Sequence, residues 1–260
     1  MKYLIALLAV SVLHAETAAE KGKRIVNESL TALGGEKFLA MEDRTETGRA
    51  YSFYRQRMTG LAQARLNTRY LRSTGPGEIG QRERQMFGKD ETFYMLFLED
   101  KAYSVTYRGA SPLPKERVDR YVRSTRNSIL YILHNRLKEA GLIFESRGAS
   151  VWQNTPVEVV DITDSENQVV QVYFHRTTKL PMRSTFSWRD PKTKEKDDYT
   201  TLYAKFRDVG GGVMWPYNIL SERNGDKVFE LFSESVTINK GLTDDLFTLS
   251  AKLPILDEEK

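Results

Sequence analysis

Catalysis by nucleophilic attack needs a nucleophile, a base and a group that orients the base. The chain offers few candidates. It has no cysteine and three histidines in 260 residues. Without cysteine there is no disulfide, thiolate zinc site, iron–sulfur cluster, cysteine nucleophile or lipid-modified cysteine. Besides His14, only His134, inside a helical stretch, and His175, at a strand end, are present. Both read as structural or surface residues, and no GxSxG nucleophile turn accompanies them. No metal, no cofactor and no catalytic set is expected. Gly75-Pro76-Gly77-Glu78-Ile79-Gly80 matches GxGxxG in its letters. A dinucleotide site needs a buried strand before it and a helix after it, and the polar Gln81-Arg82-Glu83-Arg84 follows instead. It reads as a glycine-rich hairpin loop. Glu230 and Glu234 fall on one face of a strand, a pattern that suits general acid–base work but more commonly marks a solvated face.

The densest charge is basic. Asp43 to Arg84 holds nine arginines against four acids. These arginines read as solvent-facing strand positions paired across the sheet. The competing reading is a basic face for anionic lipid headgroups or an acidic partner, so peripheral membrane contact is compatible with the sequence.

The elements that must position these residues are mostly strands. Glu20 to Met41 has helical periodicity interrupted at Gly34-Gly35. Alternating segments follow near 45–57, 61–72, 81–88, 91–98 and 102–108. Ser111-Pro112-Leu113-Pro114 then breaks the pattern and opens the longest helical candidate, Lys115 to Ala140, closed by Gly141. Alternation resumes near 142–147, 151–163, 168–175, 182–189, 197–208, 213–222 and 227–238. Short turns such as Asn224-Gly225-Asp226 join sequential strands, which means an antiparallel meander. The expectation is an α+β, mainly β fold: one large curled antiparallel sheet, a half-open barrel of about eleven strands, with helices covering the concave face. Aromatics make up 11% of the chain and many sit on strands. A curled, aromatic-lined sheet under helices suits an apolar ligand.

Met1-Lys2 followed by an apolar run to Leu13 and then His14-Ala15 has the layout of a secretory signal peptide cut near Ala15. Eleven apolar residues span about 16 Å, short of the ~30 Å hydrocarbon core. The formal charge is 39 − 35 = +4, and 38 − 35 = +3 once Lys2 is removed. The expected organisation is a signal peptide over 1–15 and a single domain over 16–260, exported to a periplasm. An exported product has little occasion to meet nucleic acid, so none is expected as a partner.

Four segments carry a family resemblance. They are Ala32-Leu33-Gly34-Gly35-Glu36, Val172-Tyr173-Phe174-His175-Arg176-Thr177-Thr178-Lys179-Leu180-Pro181-Met182-Arg183, Gly212-Val213-Met214-Trp215-Pro216-Tyr217-Asn218-Ile219, and Val236-Thr237-Ile238-Asn239-Lys240-Gly241-Leu242-Thr243-Asp244-Asp245-Leu246-Phe247. In order and spacing the chain resembles the outer-membrane lipoprotein carrier (LolA-like) superfamily over nearly its whole length after residue 15. The resemblance implies a half-open barrel closed by helices that reversibly binds acyl chains of a lipid or lipoprotein. It also implies an arginine on an early strand that holds the lid closed, with Arg44, Arg49 and Arg55 as the candidates. The expected cavity lining is Phe53, Tyr94, Phe97, Tyr103, Val122, Ile129, Leu133, Phe174, Phe186, Trp188 and Trp215. The leading functional reading is an exported, non-enzymatic carrier or sensor of an acyl chain or lipid. The alternative is an envelope interaction module of the same fold with a filled core, binding a protein partner through its arginine face or its acidic C-terminal end.

Overall fold

The computed structural model describes residues 15–71, 79–89 and 93–258. The segment read as a signal peptide, apart from Ala15, most of the Gly75–Gly80 loop and the last two residues lie outside these. Helix α1 (Ala18–Leu33) starts in a capping box, in which the Thr17 hydroxyl accepts from the Glu20 amide and the Glu20 carboxylate accepts from the Thr17 amide. It ends at Gly34, and a single turn α2 (Glu36–Leu39) follows. The strands are β1 (Asp43–Tyr54), β2 (Arg57–Tyr70), β3 (Gln81–Phe87), β4 (Tyr94–Phe97), β5 (Ala102–Thr106) and β6 (Gly109–Pro112). Helix α3 (Lys115–Arg126), the short α4 (Ile129–Tyr131) and a π-turn (Ile132–Arg136) come next. The second run is β7 (Ile143–Trp152), β8 (Thr155–Thr163), β9 (Val169–His175), β10 (Pro181–Arg189), β11 (Lys196–Asp208), β12 (Met214–Arg223) and β13 (Asp226–Ile238).

All thirteen strands form one antiparallel sheet in the order 6-5-4-3-2-1-13-12-11-10-9-8-7. The sheet curls without closing, because β6 and β7 do not pair. Two meanders are thus joined side by side through β1 and β13. The sheet matches the mainly β half-barrel read from the sequence, with more strands than the eleven expected. The extra edge strand β6 hides in the Ser111-Pro112 break, where proline is tolerated because an edge strand has one unpaired side. The β7–β8 boundary also differs. Gln153 and Asn154 both take left-handed conformations in a tight turn without glycine, so the strand starting near 151 begins at Thr155 instead.

The long helix expected over Lys115 to Ala140 is broken at Asn127-Ser128. The Asn127 side chain donates to the Arg123 carbonyl and Ser128 is extended, which ends α3 and redirects the chain. Helices α1, α2, α4 and the π-turn lie over β7–β13. There Ile25, Val26, Leu33, Phe38, Ile129, Ile132 and Leu133 pack onto Val160, Val172, Phe174, Phe186 and Trp215. Buried Arg136 fixes the end of this crossing by donating to Glu139, to Asp164 and to the Arg126 carbonyl. The C-terminal segment adds to the β6 side: Asp244 pairs with Arg69 and Arg82, Phe247 is buried, and Ala110 bridges to Ile255.

Two glycines set close approaches. Gly48 lies at a bulge between β1 and β13, where a Cβ would come 2.1 Å from the Phe232 carbonyl oxygen. Gly22 lets α1 rest directly on β7, since a Cβ there would come 2.7 Å from the Phe144 backbone. Alanine is favoured over glycine inside a helix by ~1 kcal/mol, so Gly22→Ala would ordinarily stabilise α1. Here the overpacking term of about 1–3 kcal/mol exceeds that gain. Gly22→Ala is expected to lower the urea unfolding midpoint, measured by circular dichroism at unchanged slope.

Candidate functional site

Register places side chains in rows across the concave face. One row runs Ile238, Arg44, Thr68, Glu83, Phe97 through β13, β1, β2, β3 and β4. The next runs Val236, Glu46, Leu66, Gln85, Met95. Beyond the bulge the rows shrink to Ser233, Gly48, Ala64, then Leu231, Ala50, Ala62, then Phe229, Ser52, Gly60. On β1–β3 the first two rows are charged or hydrogen-bonding except at Leu66, and the later ones are small on β1 and β2.

The polar rows are buried and connected. Arg44 donates from Nη1 to the Tyr70 hydroxyl and from Nη2 to Thr68 Oγ1, both at 3.0 Å, and its Nε lies 3.4 Å from Glu46 Oε2. Its guanidinium sits 4.1 Å from the centroid of the Trp215 ring. Thr68 passes the chain on by donating to Glu83, which also accepts from Gln85. Glu46 accepts from Ser233. Burial pushes the Glu46 carboxyl above its ordinary range, against the pull of Arg44 and Ser233. Burial also works against the Arg44 charge, but the nearby Tyr70, Glu46, Glu83 and Tyr121 together hold it above the usual arginine value.

Helix α3 spans this polar row without burying any residue fully. It is attached through Tyr121, which stacks on Phe97 at 3.8 Å and accepts from Gln81, and through Arg123, which lies 3.8 Å over the Trp188 ring. Between α3 and the sheet is a cavity of about 280 Å³, bounded by Arg44, Gln81, Glu83 and Gln85 below, Tyr121, Ser124, Thr125 and Ser128 above, and Thr201, Tyr203 and Ser221 at the side. Desolvation raises the Tyr121 and Tyr203 hydroxyls, so both stay protonated and can donate. Beside it, over the small-residue rows, is a hollow of about 410 Å³ lined by Ala50, Ser52, Gly60, Ala62, Phe87, Met95 and Phe229. Gln85 borders both spaces.

The eleven residues expected to line a cavity take several places. Ile129, Leu133, Phe174, Phe186 and Trp215 pack together in the core over β8–β13, and Trp188 packs against it. Of the eleven, Trp215 alone also borders the polar cavity. Phe97 forms a small separate cluster with Ala102 and Leu113. Val122 is half-buried on α3. Tyr94 and Tyr103 fall on the alternate register of β4 and β5, opposite in sense to Met95 and Ala102; Arg84 lies 3.8 Å over the Tyr94 ring, and Tyr103 borders a separate cleft with Leu113 and Val118. Phe53 sits near the β1–β2 turn with Lys227 5.9 Å from its ring. Among the three arginines, Arg44 faces α3 across the cavity. Arg49 is exposed and pairs with Glu234 at 3.0 Å, and Arg55 sits in the β1–β2 turn over Tyr54. The residues the sequence reading missed are Ala50, Gly60, Ala62 and the hydroxyls of α3. Their signal is the alternation of small residues in Gly48-Arg49-Ala50 and Gly60-Leu61-Ala62-Gln63-Ala64, read as two adjacent strands.

The two described histidines are engaged structurally. His134 packs against Tyr70 and Phe38 with Nε2 3.1 Å from the Met41 carbonyl oxygen, and burial lowers its pKa. His175 Nδ1 accepts from the Thr177 and Thr178 amides in a turn. Among the described residues no group of three potential metal-ligating side chains gathers.

No family model and no curated protein matches the chain. Solved structures do. A putative outer membrane lipoprotein-sorting protein domain from Vibrio parahaemolyticus superposes with a TM-score of 0.56 at 15% identity, covering 88% of this chain and 97% of that one. A LolA superfamily protein from Nitrosomonas europaea gives 0.55 at 12% identity over 88% and 97%. The fold is LolA-like. A DUF1329 family protein from Desulfovibrio piger shares this fold, with a TM-score of 0.57 at 9% identity over 87% and 97%. At these identities the LolA-like assignment concerns architecture alone.

Removing Arg44 would leave Glu46 buried without its counter-charge, which costs about 3–5 kcal/mol. Arg44→Met is expected to destabilise by that order in urea titration, and adding Glu46→Gln should recover much of the loss. A second expectation concerns pH. A carboxyl whose folded-state pKa is raised binds its proton more tightly in the folded chain. Its stabilising contribution is complete below the ordinary value of 4.5 and declines as pH rises through the folded-state pKa. The difference in stability between wild type and Glu46→Gln should therefore shift with rising pH in favour of the glutamine variant. Stability curves at a series of pH values check this, and a pH-independent difference would contradict it.

Proposed function

We propose that the protein is an exported, non-enzymatic carrier or sensor that reversibly binds a lipid or the acyl chain of a lipoprotein. The observation that carries this reading is the hollow over Ala50, Gly60 and Ala62. Concave positions that hold bulky side chains on β8–β12 hold the smallest ones here, so the sheet keeps apolar space where its other half is filled. Its volume of about 410 Å³ lies within the roughly 300–1,000 Å³ range of small-molecule sites. The adjoining hydroxyl-lined cavity supplies hydrogen-bond partners for a polar end. The ligand is therefore an amphiphile, with its chain over the alanines and its polar group beneath α3. Arg44 is the candidate among the three early arginines for coupling ligand to lid, because it borders the space that α3 covers. Helix α3, with no fully buried residue, is the element that moves to admit ligand. The LolA-like architecture and the lipoprotein-sorting description of the Vibrio structure agree with this reading and with an envelope location.

One observation favours the alternative interaction module. Of the aromatic residues expected to line a cavity, Phe174, Phe186 and Trp215 pack in the core over β8–β13, with Trp188 against them. A protein partner would then use the outer surface.

The test is uptake of a fluorescent fatty-acyl probe by delipidated protein. Ala62→Phe places a ring in the hollow and leaves the packed core untouched. It is expected to weaken probe binding at least about tenfold, a difference of ~1.4 kcal/mol, with thermal unfolding little changed. Wild-type protein that takes up no acyl probe would refute the carrier reading and favour the interaction module.

A further inference from the structure

Several exposed apolar side chains stand toward one rim. Antiparallel order puts the β1–β2, β5–β6 and β12–β13 turns at the same end of the sheet. Tyr54, Met58 and Tyr107 stand there, 64%, 58% and 80% exposed. Ile255, 60% exposed, joins them through its bridge to Ala110 beside the β5–β6 turn. Tyr107 is three strands from β2, about 14 Å at ~4.8 Å per strand, so these side chains are spread along one end of the sheet.

The same turns are basic. Over 54–58, 107–108 and 224–228 they carry Arg55, Arg57, Arg108 and Lys227 against Asp226, whose carboxylate accepts from Gln56, and the β3–β4 connection at the same end carries Lys89, Asp90 and Glu91 in its sequence, which leaves the end net basic. Arg55 and Gln56 both take left-handed conformations, φ 49° and 63°, where Asn-Gly would fit without strain. The hollow opens next to this rim, since Ser52, Gly60, Phe87 and Phe229 lie within a few residues of the strand ends.

We propose that this rim docks on an anionic lipid bilayer. Tyr54, Met58 and Tyr107 enter the interface, and the arginines meet lipid phosphates. Mixed aromatic and basic side chains suit that boundary, where one end of each group is apolar and the other wet. Docking stands on the exposed rim and holds whatever the hollow takes. It would also bring the mouth of the hollow to the bilayer surface.

The experiment is flotation of the protein with vesicles of phosphatidylcholine containing about one third phosphatidylglycerol, beside vesicles of phosphatidylcholine alone. Wild type is expected to float with the mixed vesicles, to bind the neutral ones far less, and to be released by high salt as the Debye length shrinks. The variant Arg55→Asn, Gln56→Gly, Arg57→Ser keeps the turn and removes two cations. At roughly fivefold per arginine its partition should fall about 25-fold. Met58→Ser with Tyr107→Ser should weaken binding to the same vesicles at unchanged net charge. Unfolding curves and acyl-probe uptake without vesicles control for folding and for the hollow. Wild type that stays unbound, or arginine-depleted protein that floats as well as wild type, overturns the proposal. Docking retained while the probe is refused would refute the acyl reading and leave docking standing. Docking absent while the probe is bound would do the reverse.

Discussion

The connection from β6 to β7 governs the molecule. These strands are the two free edges of one sheet, so the chain between them must travel from one side of the curl to the other. A path over the concave face is the one observed, and it can be stable only where it exchanges apolar surface with the sheet. The second half of the crossing does so, since Ile129, Ile132 and Leu133 are almost fully buried. The first half does not. Helix α3 rests over the charged row of β1–β3 and keeps every residue at least partly exposed. One connection thus supplies both a firm core and a lightly held cover.

That asymmetry originates on β1, the central seam between the two meanders. A strand in that position is buried on its concave side, yet it carries Arg44 and Glu46 there. Buried charges are tolerated only when paired and hydrogen-bonded. Tyr70, Thr68, Ser233 and the Trp215 ring meet that requirement. The polar groups drawn in for this purpose exclude the tight apolar packing seen over β8–β13. The cavity beneath α3 follows from the buried pair as much as from any ligand.

The architecture was legible in the sequence because strand alternation, turn residues and the Gly34-Gly35 break each act locally. β6 was not, because its four residues overlap a proline signal that also starts a helix. The interior was harder. Alternation tells which residues share a face, but Phe174, Phe186 and Trp215 could equally line a space or fill it. The decision belongs to what sits opposite, which for this core is the apolar faces of α1, α2, α4 and the π-turn. Arg44 could not be separated from Arg49 and Arg55 by sequence, since the β1 strand gives no marker of which face is covered. The hollow was readable in principle. Small residues at every second position of two hairpin-paired strands leave space on one face, whereas attention to large aromatics looks for the walls and overlooks the room between them.

Placing a charged row directly beside rows of alanine and glycine also has a consequence for what can bind. A purely apolar ligand would satisfy the hollow but strand the hydroxyls at its inner end, each unmade hydrogen bond costing about 1–3 kcal/mol if water is displaced. A purely polar ligand would leave the apolar rows wet. Gln85, which borders both spaces, is where the two demands meet, so the shared boundary would suit the proposed amphiphile, a molecule that changes character along its length. For the amphiphile proposed above the direction follows as well: its polar end would face α3 and the centre of the sheet, and its chain end the rim that carries Tyr54 and Tyr107. An amphiphile leaving chain-first through that rim would pass from alanine-lined space toward a surface of aromatic and basic side chains without exposing its chain to open water for long. On the proposed reading, such an arrangement would favour transfer at an interface over release into solution.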